Sequence, residues 1–394
     1  MFDLSLPTVS SARLRLGNPF MASNWSEPWR KLYADELLNR TPIRVGIETT
    51  VFLLINCLSL FGNILICFVI IQTNGLRRNT TNVLIVGLAV SDILQALFGM
   101  PLTCGVLLTG KWIFGEFLCK VQGFWLLFLG FVSLHSMALT ALNRYFCVVR
   151  PEMYRRLCTR KASLIKLSVV WVFALASVAI PQFSKNISFR FQANRAACFI
   201  TLVDFTENMV YTVFSLVVFI APTLGIIVGC YTKVYMVIRQ HKRRLRPAAT
   251  NYLNRSSNNL QLPQSTQRRR LSSARNRIIS LEEIRATNML FAIVLGFGSC
   301  WIPSILVELV DSALPGGVVP RELYVTYIFL AFLSCAINPI LYSIMSRTFR
   351  RATMHALRSC CILGAVDDPT PFSAEPRPRP SIRINGIARK QENV

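Results

Sequence analysis

Residues 51–72 read VFLLINCLSLFGNILICFVIIQ, a run without a single Asp, Glu, Lys or Arg. A helix needs about 20 predominantly apolar residues to cross a hydrocarbon core of about 30 Å, and this run is long enough. Taken from residue 48, it is the first of seven such runs, near 48–72, 82–108, 117–149, 164–183, 207–238, 286–311 and 322–346. Proline interrupts several of them, at Pro101, Pro181, Pro222, Pro303 and Pro339. Inside a bilayer, proline is tolerated only where neighbouring helices or waters re-satisfy the backbone groups it frees. The pattern predicts an all-α fold, a seven-transmembrane-helix bundle with kinked members over 48–346. Composition points the same way: 53% hydrophobic, 16% charged, mean hydropathy +0.44 over 394 residues is too apolar for an ordinary soluble domain.

A net charge of +24 would suit a nucleic-acid partner, but the basic residues lie between and after the apolar runs. There they act as membrane-orienting charge, so no nucleic acid is expected. Counted by side, 31 Lys and Arg flank the face that holds the carboxy terminus and 12 the opposite face. The positive side faces the cytoplasm, which predicts an extracellular amino terminus in a multi-pass plasma membrane protein. Three N-x-[ST] acceptors, Asn24, Asn39 and Asn186, fall on that outer side; Asn39 is the poorest because Pro42 follows. The same pattern recurs on the inner side at Asn79 and Asn254, so it adds little. The first 46 residues lack the apolar core of a cleavable signal, so the first span is expected to direct insertion.

Four regions follow: a glycosylated extracellular tail (1–47), the bundle (48–346), an amphipathic membrane-surface helix (347–361) and an irregular tail (362–394). Within the bundle the Arg/Asn/Gln/Ser-rich loop 240–282 has no apolar period and reads as irregular. The 12 cysteines form no CxxC pair, and Cys57, Cys67, Cys147, Cys230, Cys300 and Cys335 sit inside apolar runs, so no cofactor is required. No catalytic constellation is visible either: His135, His241 and His355 are scattered, and the chain does not read as an enzyme. A transporter would bring more spans or charges in several membrane centres, whereas Asp92 is the lone deep carboxylate.

Polar side chains are expensive in hydrocarbon, so those within spans face the bundle interior. Asn63, Asp92, Ser133, Ser334 and Asn338 lie at depths that allow them to converge. Asp92, Ser133, Ser334 and Asn338 offer the oxygen ligands a small hard cation such as Na⁺ accepts. A hydrogen-bonded network without an ion is the alternative.

A set of motifs then becomes specific: Gly62-Asn63, Leu88-Ala89-Val90-Ser91-Asp92, Trp112 before Cys119, Asn143-Arg144-Tyr145, Trp171, Cys300-Trp301-Ile302-Pro303 and Asn338-Pro339-Ile340-Leu341-Tyr342. One per span and in this order, over roughly 48–358, they resemble the signatures of rhodopsin-like (class A) G protein-coupled receptors. The resemblance implies a receptor for an extracellular ligand that activates heterotrimeric G proteins, with allosteric Na⁺ at the polar set and with arrestin and receptor kinases as further partners. It also implies a disulfide between Cys119 and Cys198, in an oxidising compartment that permits one. Arg144 and Glu283 would pair at rest and part on activation; two solvated charges are the alternative. Phe297, Trp301 and Pro303 would couple the pocket to helix movement, and Tyr231 and Tyr342 would reach toward Arg144. Two departures stand out: Asn143 replaces the usual acidic residue before the arginine, and Pro222 stands nine rather than eight residues before Tyr231. An amide cannot pair ionically with Arg144, so basal activity is expected.

The ligand is narrowed by exclusion. The position of an aminergic counter-ion holds Leu126, and that of a retinal lysine holds Phe332. Asn-Arg-Tyr followed by Tyr154 and Lys161, with an apolar third span, resembles the melatonin-receptor branch, although Pro339, Ile200 and Leu202 depart from it. The expected pocket is Gln122, Leu126, Leu127, Gln182, Trp301, Ile305, Glu308, Tyr327 and Phe332, for melatonin, a related indoleamine, or, in an orphan of the same fold, a peptide, lipid or other amine. A receptor active without ligand is a further alternative. Glu308 either selects a ligand or is a solvated rim charge like Asp311. On the inner side, Arg347, Phe349, Arg350, Arg351, Met354 and Leu357 pattern as a helix lying on membrane lipid, followed by the palmitoylation pair Cys360-Cys361. Arg269-Arg270-Leu271-Ser272 resembles a kinase site at Ser272.

Overall fold

The computed structural model describes residues 27–202, 204–256, 281–314, 319–346 and 349–355, apart from the side chains of 27–28, 241–256 and 281–286. Within them seven helices are long and apolar enough to cross a membrane: Pro42–Gln72, Thr80–Thr109, Gly115–Val149, Arg160–Phe183, Phe205–Gln240, Thr287–Ala313 and Arg321–Met345. Their ends are set by caps rather than by hydropathy. Thr41 accepts from the Arg44 amide with Pro42 as the first helical residue, so the first span starts six residues before the apolar run. Asn79 and Thr159 cap the second and fourth spans in the same manner. Gly110, at φ +74°, ends the second span in the left-handed conformation that glycine tolerates best.

Side chains sort by face. Leu54, Phe61, Ile165 and Val172 point outward, while the third span is buried along most of its length at the centre of the bundle. Four apolar clusters form the core among the described residues, the smallest around Val148, Val234 and Ile238. One lies around Phe52, Met100 and Tyr324, one around Phe128 and Val178, and one around Met137, Leu290 and Tyr342. The first and seventh spans touch at Gly62, where an added Cβ would stand 2.6 Å from the Pro339 ring. Such proximity explains why glycine precedes Asn63.

The structure differs from the sequence reading in four places. An amphipathic helix, Glu27–Leu38, occupies the region read as a plain tail; Trp29, Tyr33 and Leu37, at i, i+4 and i+8, form its buried stripe. An antiparallel hairpin, Ile187–Gln192 with Ala197–Leu202, joins the fourth and fifth spans in an otherwise helical fold. The fifth-span helix continues to Ser256, into the stretch read as irregular, since extending an existing helix avoids the cost of nucleation. It also contains a π-turn, Leu216–Ile220, just ahead of Pro222, which rotates the faces on either side of it. Of the expected 347–361 helix, 349–355 is helical, and Phe349 packs near Tyr342 at 6.1 Å between ring centroids. Residues from Met354 form a second unit, of which Met354 and His355 are described. Asn24, Ser272, Cys360 and Cys361 lie outside the described residues.

Candidate functional site: a roofed cavity above a buried polar cluster

A cavity of about 730 Å³ runs into the bundle from the hairpin end. Leu126, Leu127, Trp301, Ile305, Glu308, Tyr327 and Phe332 all line it. Gln122 does not: its amide donates to the Gly99 carbonyl and Thr103 Oγ1, and its Oε1 accepts from the Cys198 amide at 2.9 Å. A buried amide that satisfies three partners is a strut between the second span, the third span and the hairpin. Gln182 sits in the short 3₁₀ turn that ends the fourth span, outside the cavity lining. Asn39 and Asn186 are exposed, Asn186 donating to Glu207 at 2.7 Å.

The roof is a hairpin tied down at both ends. A disulfide joins Cys119 to Cys198. Beside it Gly123 leaves room for Phe189, whose ring would stand 2.5 Å from any added Cβ. At the hairpin tip Arg195 is buried and bonds Glu308 at 2.9 Å, with Asp311 at 3.6 Å and Phe199 beneath the guanidinium. Burial alone would lower the Arg195 pKa, but Glu308, then Tyr327 and Asp311, raise it overall, so the charge is held in place. Tyr327 also donates to Glu308 at 2.7 Å, and Tyr324 donates to Asp311. Glu308 is thus neither a free ligand anchor nor a solvated rim charge; it is the counter-ion of the roof. Sequence reading missed Arg195 because an arginine in a loop carries no periodic signal.

Above the hairpin, the amino-terminal helix lies on the same end of the bundle. Tyr33 donates to the Val319 carbonyl at 2.6 Å, and Arg40 donates to the carbonyls of Leu37 and Leu107. Arg40 and Arg321, both buried, share Glu48 at 2.6 and 3.1 Å.

At the cavity floor Trp301 stacks on Phe297 at 5.5 Å and donates to Ser334 Oγ at 3.1 Å. Gly130 faces the indole, leaving it no room to spare. Asn338 donates to Asp92 at 2.8 Å, Ser91 and Ser133 hydroxyls meet at 3.3 Å, and Asn63 donates to the Ser59 and Cys335 carbonyls. The Oδ1 atoms of Asn63 and Asn338 are buried without a partner among the described residues. No cluster of three His, Cys, Asp or Glu side chains is present among them.

At the opposite end Arg144 is buried with its Nε unpartnered. Asn143 turns away from it and donates to Thr81 on the second span at 3.0 Å. Tyr145 packs with Val148, Val234 and Ile238, while Tyr231, Phe297 and Tyr342 share the apolar cluster above. Glu283 lies in the sixth-span helix, but its side chain is outside the described residues. Pro303 and Pro339 lie inside the sixth and seventh spans. Asn143→Asp removes the amide donor that holds the side chain on Thr81 and supplies a carboxylate that can turn to Arg144; it is expected to lower ligand-free signalling several-fold, by about 1 kcal/mol of resting-state stabilisation. Signalling equal to the parent in a ligand-free cell assay would contradict it.

Seven apolar helices around a roofed cavity and a buried polar cluster make the architecture of a heptahelical membrane receptor. The family model described as 7 transmembrane receptor (rhodopsin family) matches residues 62–342, and the chain belongs to this family of G protein-coupled receptors. It is similar to melatonin receptor type 1B of Rattus norvegicus, 24% identical over 79% of this chain and 78% of the relative. Neuropeptide Y receptor type 1 of Xenopus laevis is 28% identical over 79% and 80%, and octopamine receptor beta-1R of Drosophila melanogaster 26% over 76% and 59%.

Proposed function

We propose that this receptor holds a small molecule in the roofed cavity at the hairpin end of the bundle and signals through a heterotrimeric G protein at the Arg144 end, with melatonin or a related indoleamine as the first ligand to test. One observation carries the small-molecule reading: the cavity is walled by Leu126, Leu127, Ile305 and Phe332, and both carboxylates near its mouth already have partners, Glu308 in Arg195 and Tyr327 and Asp311 in Arg195 and Tyr324. An ammonium would have to compete with Arg195 for these carboxylates, which favours an uncharged ligand over an octopamine-like amine. Relatives named for melatonin, a peptide and an amine all fall at similar identity, so the ligand is chosen by chemistry rather than by likeness. The test is a signalling screen of indoleamines, small amines, lipids and peptides on the expressed receptor, read on inhibitory and stimulatory G-protein channels. A response to a charged amine alone, or to none of these at a constitutively signalling receptor, would overturn the reading.

Asp92, Ser133, Ser334 and Asn338 are the residues we assign to a sodium ion. The chemistry fits: Asp92 is a buried carboxylate bonded by Asn338, the Ser133 and Ser334 hydroxyls are buried, and the two orphaned amide oxygens supply acceptors that a hard cation or its water would use. Through Ser334 the same set reaches Trp301, so an ion held there would oppose movement of the sixth span. Raising NaCl against N-methylglucamine chloride is expected to lower basal signalling, and Asp92→Asn to abolish that dependence. A sodium response retained in Asp92→Asn would remove the assignment.

A further inference from the structure

Three residues that line the cavity are also among the more exposed apolar side chains of the bundle: Val228 at 65%, Leu295 at 57% and Ile302 at 53%. In an enclosed site a lining residue is buried. All three lie on the fifth and sixth spans, and on the sixth they share one face with Ser299, also exposed and also lining. The cavity therefore opens sideways, along the seam between these two helices. Its limits are visible. Toward the hairpin end the turns Phe205–Ser215 pack against the sixth span. Toward the Arg144 end the rings of Tyr231 and Phe291 close the seam at 5.7 Å. Between them Gly298 lines the cavity, with open space where a Cβ would stand.

The water-facing end is built the opposite way. Tyr33, Ala193, Ala196 and Arg195 are each under a tenth exposed, although they stand at the mouth of the bundle. The amino-terminal helix covers the hairpin tip, and Tyr33 meets Tyr324 edge to face at 5.8 Å while Arg195 stands over the same ring. The charged lining residues Arg195, Glu308 and Asp311 gather beneath this roof with Gln192, Asn194 and Asn208, while the deeper lining is mainly apolar, Met137, Ile227, Val294 and Phe297, with Gln95, Ser133 and Ser334 among its uncharged polar members.

We infer that the ligand reaches the cavity from the bilayer, through the seam between the fifth and sixth spans, and that it is a lipid-dissolved molecule with an apolar body and its polar groups at one end. This rests on the receptor reading above and adds the ligand's class and route to it. A molecule entering sideways meets apolar side chains and uncharged hydroxyls such as Ser299, whereas entry from water requires the Arg195 ion pairs and the Tyr33 contact to break first.

Cys335, buried and lining the cavity as a free thiol, reports access without any known ligand or G protein. Full-length receptor in lipid nanodiscs is treated with benzyl methanethiosulfonate or with its permanently charged trimethylammonioethyl analogue. Each rate at Cys335, followed by mass spectrometry of its peptide, is divided by the reagent's rate on free glutathione. The apolar reagent is expected to react at least about tenfold faster, because a fixed charge cannot cross the hydrocarbon-facing seam. Gly298→Trp, which fills the seam, should slow the apolar reagent by about tenfold and leave the charged one unchanged. Ser299→Trp places its ring at the exposed edge of the seam and serves if the first variant fails to reach the membrane. Equal normalised rates for the two reagents, or an apolar rate unchanged in the folded tryptophan variants, would overturn the inference. Failure of the signalling screen would leave these rates as they are, so the two readings fail separately.

Discussion

Glu48→Ala is expected to cost about 3–5 kcal/mol of stability, read as a large fall in the melting temperature of purified receptor and as loss of surface expression. The carboxylate serves two buried arginines at once: Arg40 at 2.6 Å and Arg321, only 1% exposed, at 3.1 Å. Removing it leaves two cations in a site with no other carboxylate contact to either among the described residues. The exposed partner Arg44 contributes little, since a solvated pair is worth under about 1 kcal/mol. Arg44→Ala is therefore the control and should melt near the parent. Glu48→Gln keeps an acceptor without the charge and should fall between. The network also joins chain segments far apart, because Arg321 opens the seventh span while Arg40 follows the amino-terminal helix. A Glu48→Ala receptor that melts with the Arg44→Ala control would show that the buried cluster contributes no more than a surface pair.

The second large effect is expected from Cys198→Ser. The Cys119–Cys198 bridge closes a loop with a sequence separation of 79 residues, for which chain entropy alone gives about 4 kcal/mol. Its loss also frees the strand that holds the Cys198 amide on Gln122 and the Phe189 ring against Gly123. The hairpin would then keep Arg195 at its tip and its apolar packing but lose its covalent tie to the third span. Two measurements separate the bridge from the packing. Dithiothreitol should lower the melting temperature of the parent toward that of Cys198→Ser, and the double variant Cys119→Ser, Cys198→Ser should melt no lower than either single one. A parent unaffected by reductant in its unfolding transition would contradict the expectation. Arg195→Ala tests the other anchor and should weaken ligand binding more than it lowers stability, since Glu308 and Asp311 keep Tyr327 and Tyr324 as partners.

Asn143 shows how far a motif carries and where it stops. That an amide stands before Arg144 is plain from the sequence, and so is the missing ionic partner. That the amide turns to Thr81, sixty-two positions away, depends on how the second and third spans pack. Glu308 repeats the lesson. Its spacing from Trp301 and Ile305 places it on the cavity face, and the cavity does include it. Its role was open until Arg195, 113 residues earlier in the chain, proved to be its partner. Gln122 was placed in the pocket by its position on the third span, yet its three hydrogen bonds use it as a strut.

Hydropathy runs determined the number and rough extent of the spans, because the bilayer accepts only long stretches with few charges. Motif order determined the family, and the pairing implied for Cys119 and Cys198 needed only the resemblance. The amino-terminal helix escaped because three buried residues in twelve make too weak a period among charged neighbours. The hairpin escaped because two six-residue strands are ordinary loop composition until they pair. Which polar groups are bound and which are left open, where the roof closes and where the wall parts are decided by tertiary structure alone. Those are properties of residues brought together across tens or hundreds of positions, and local sequence carries no record of a distant partner's charge, shape or depth.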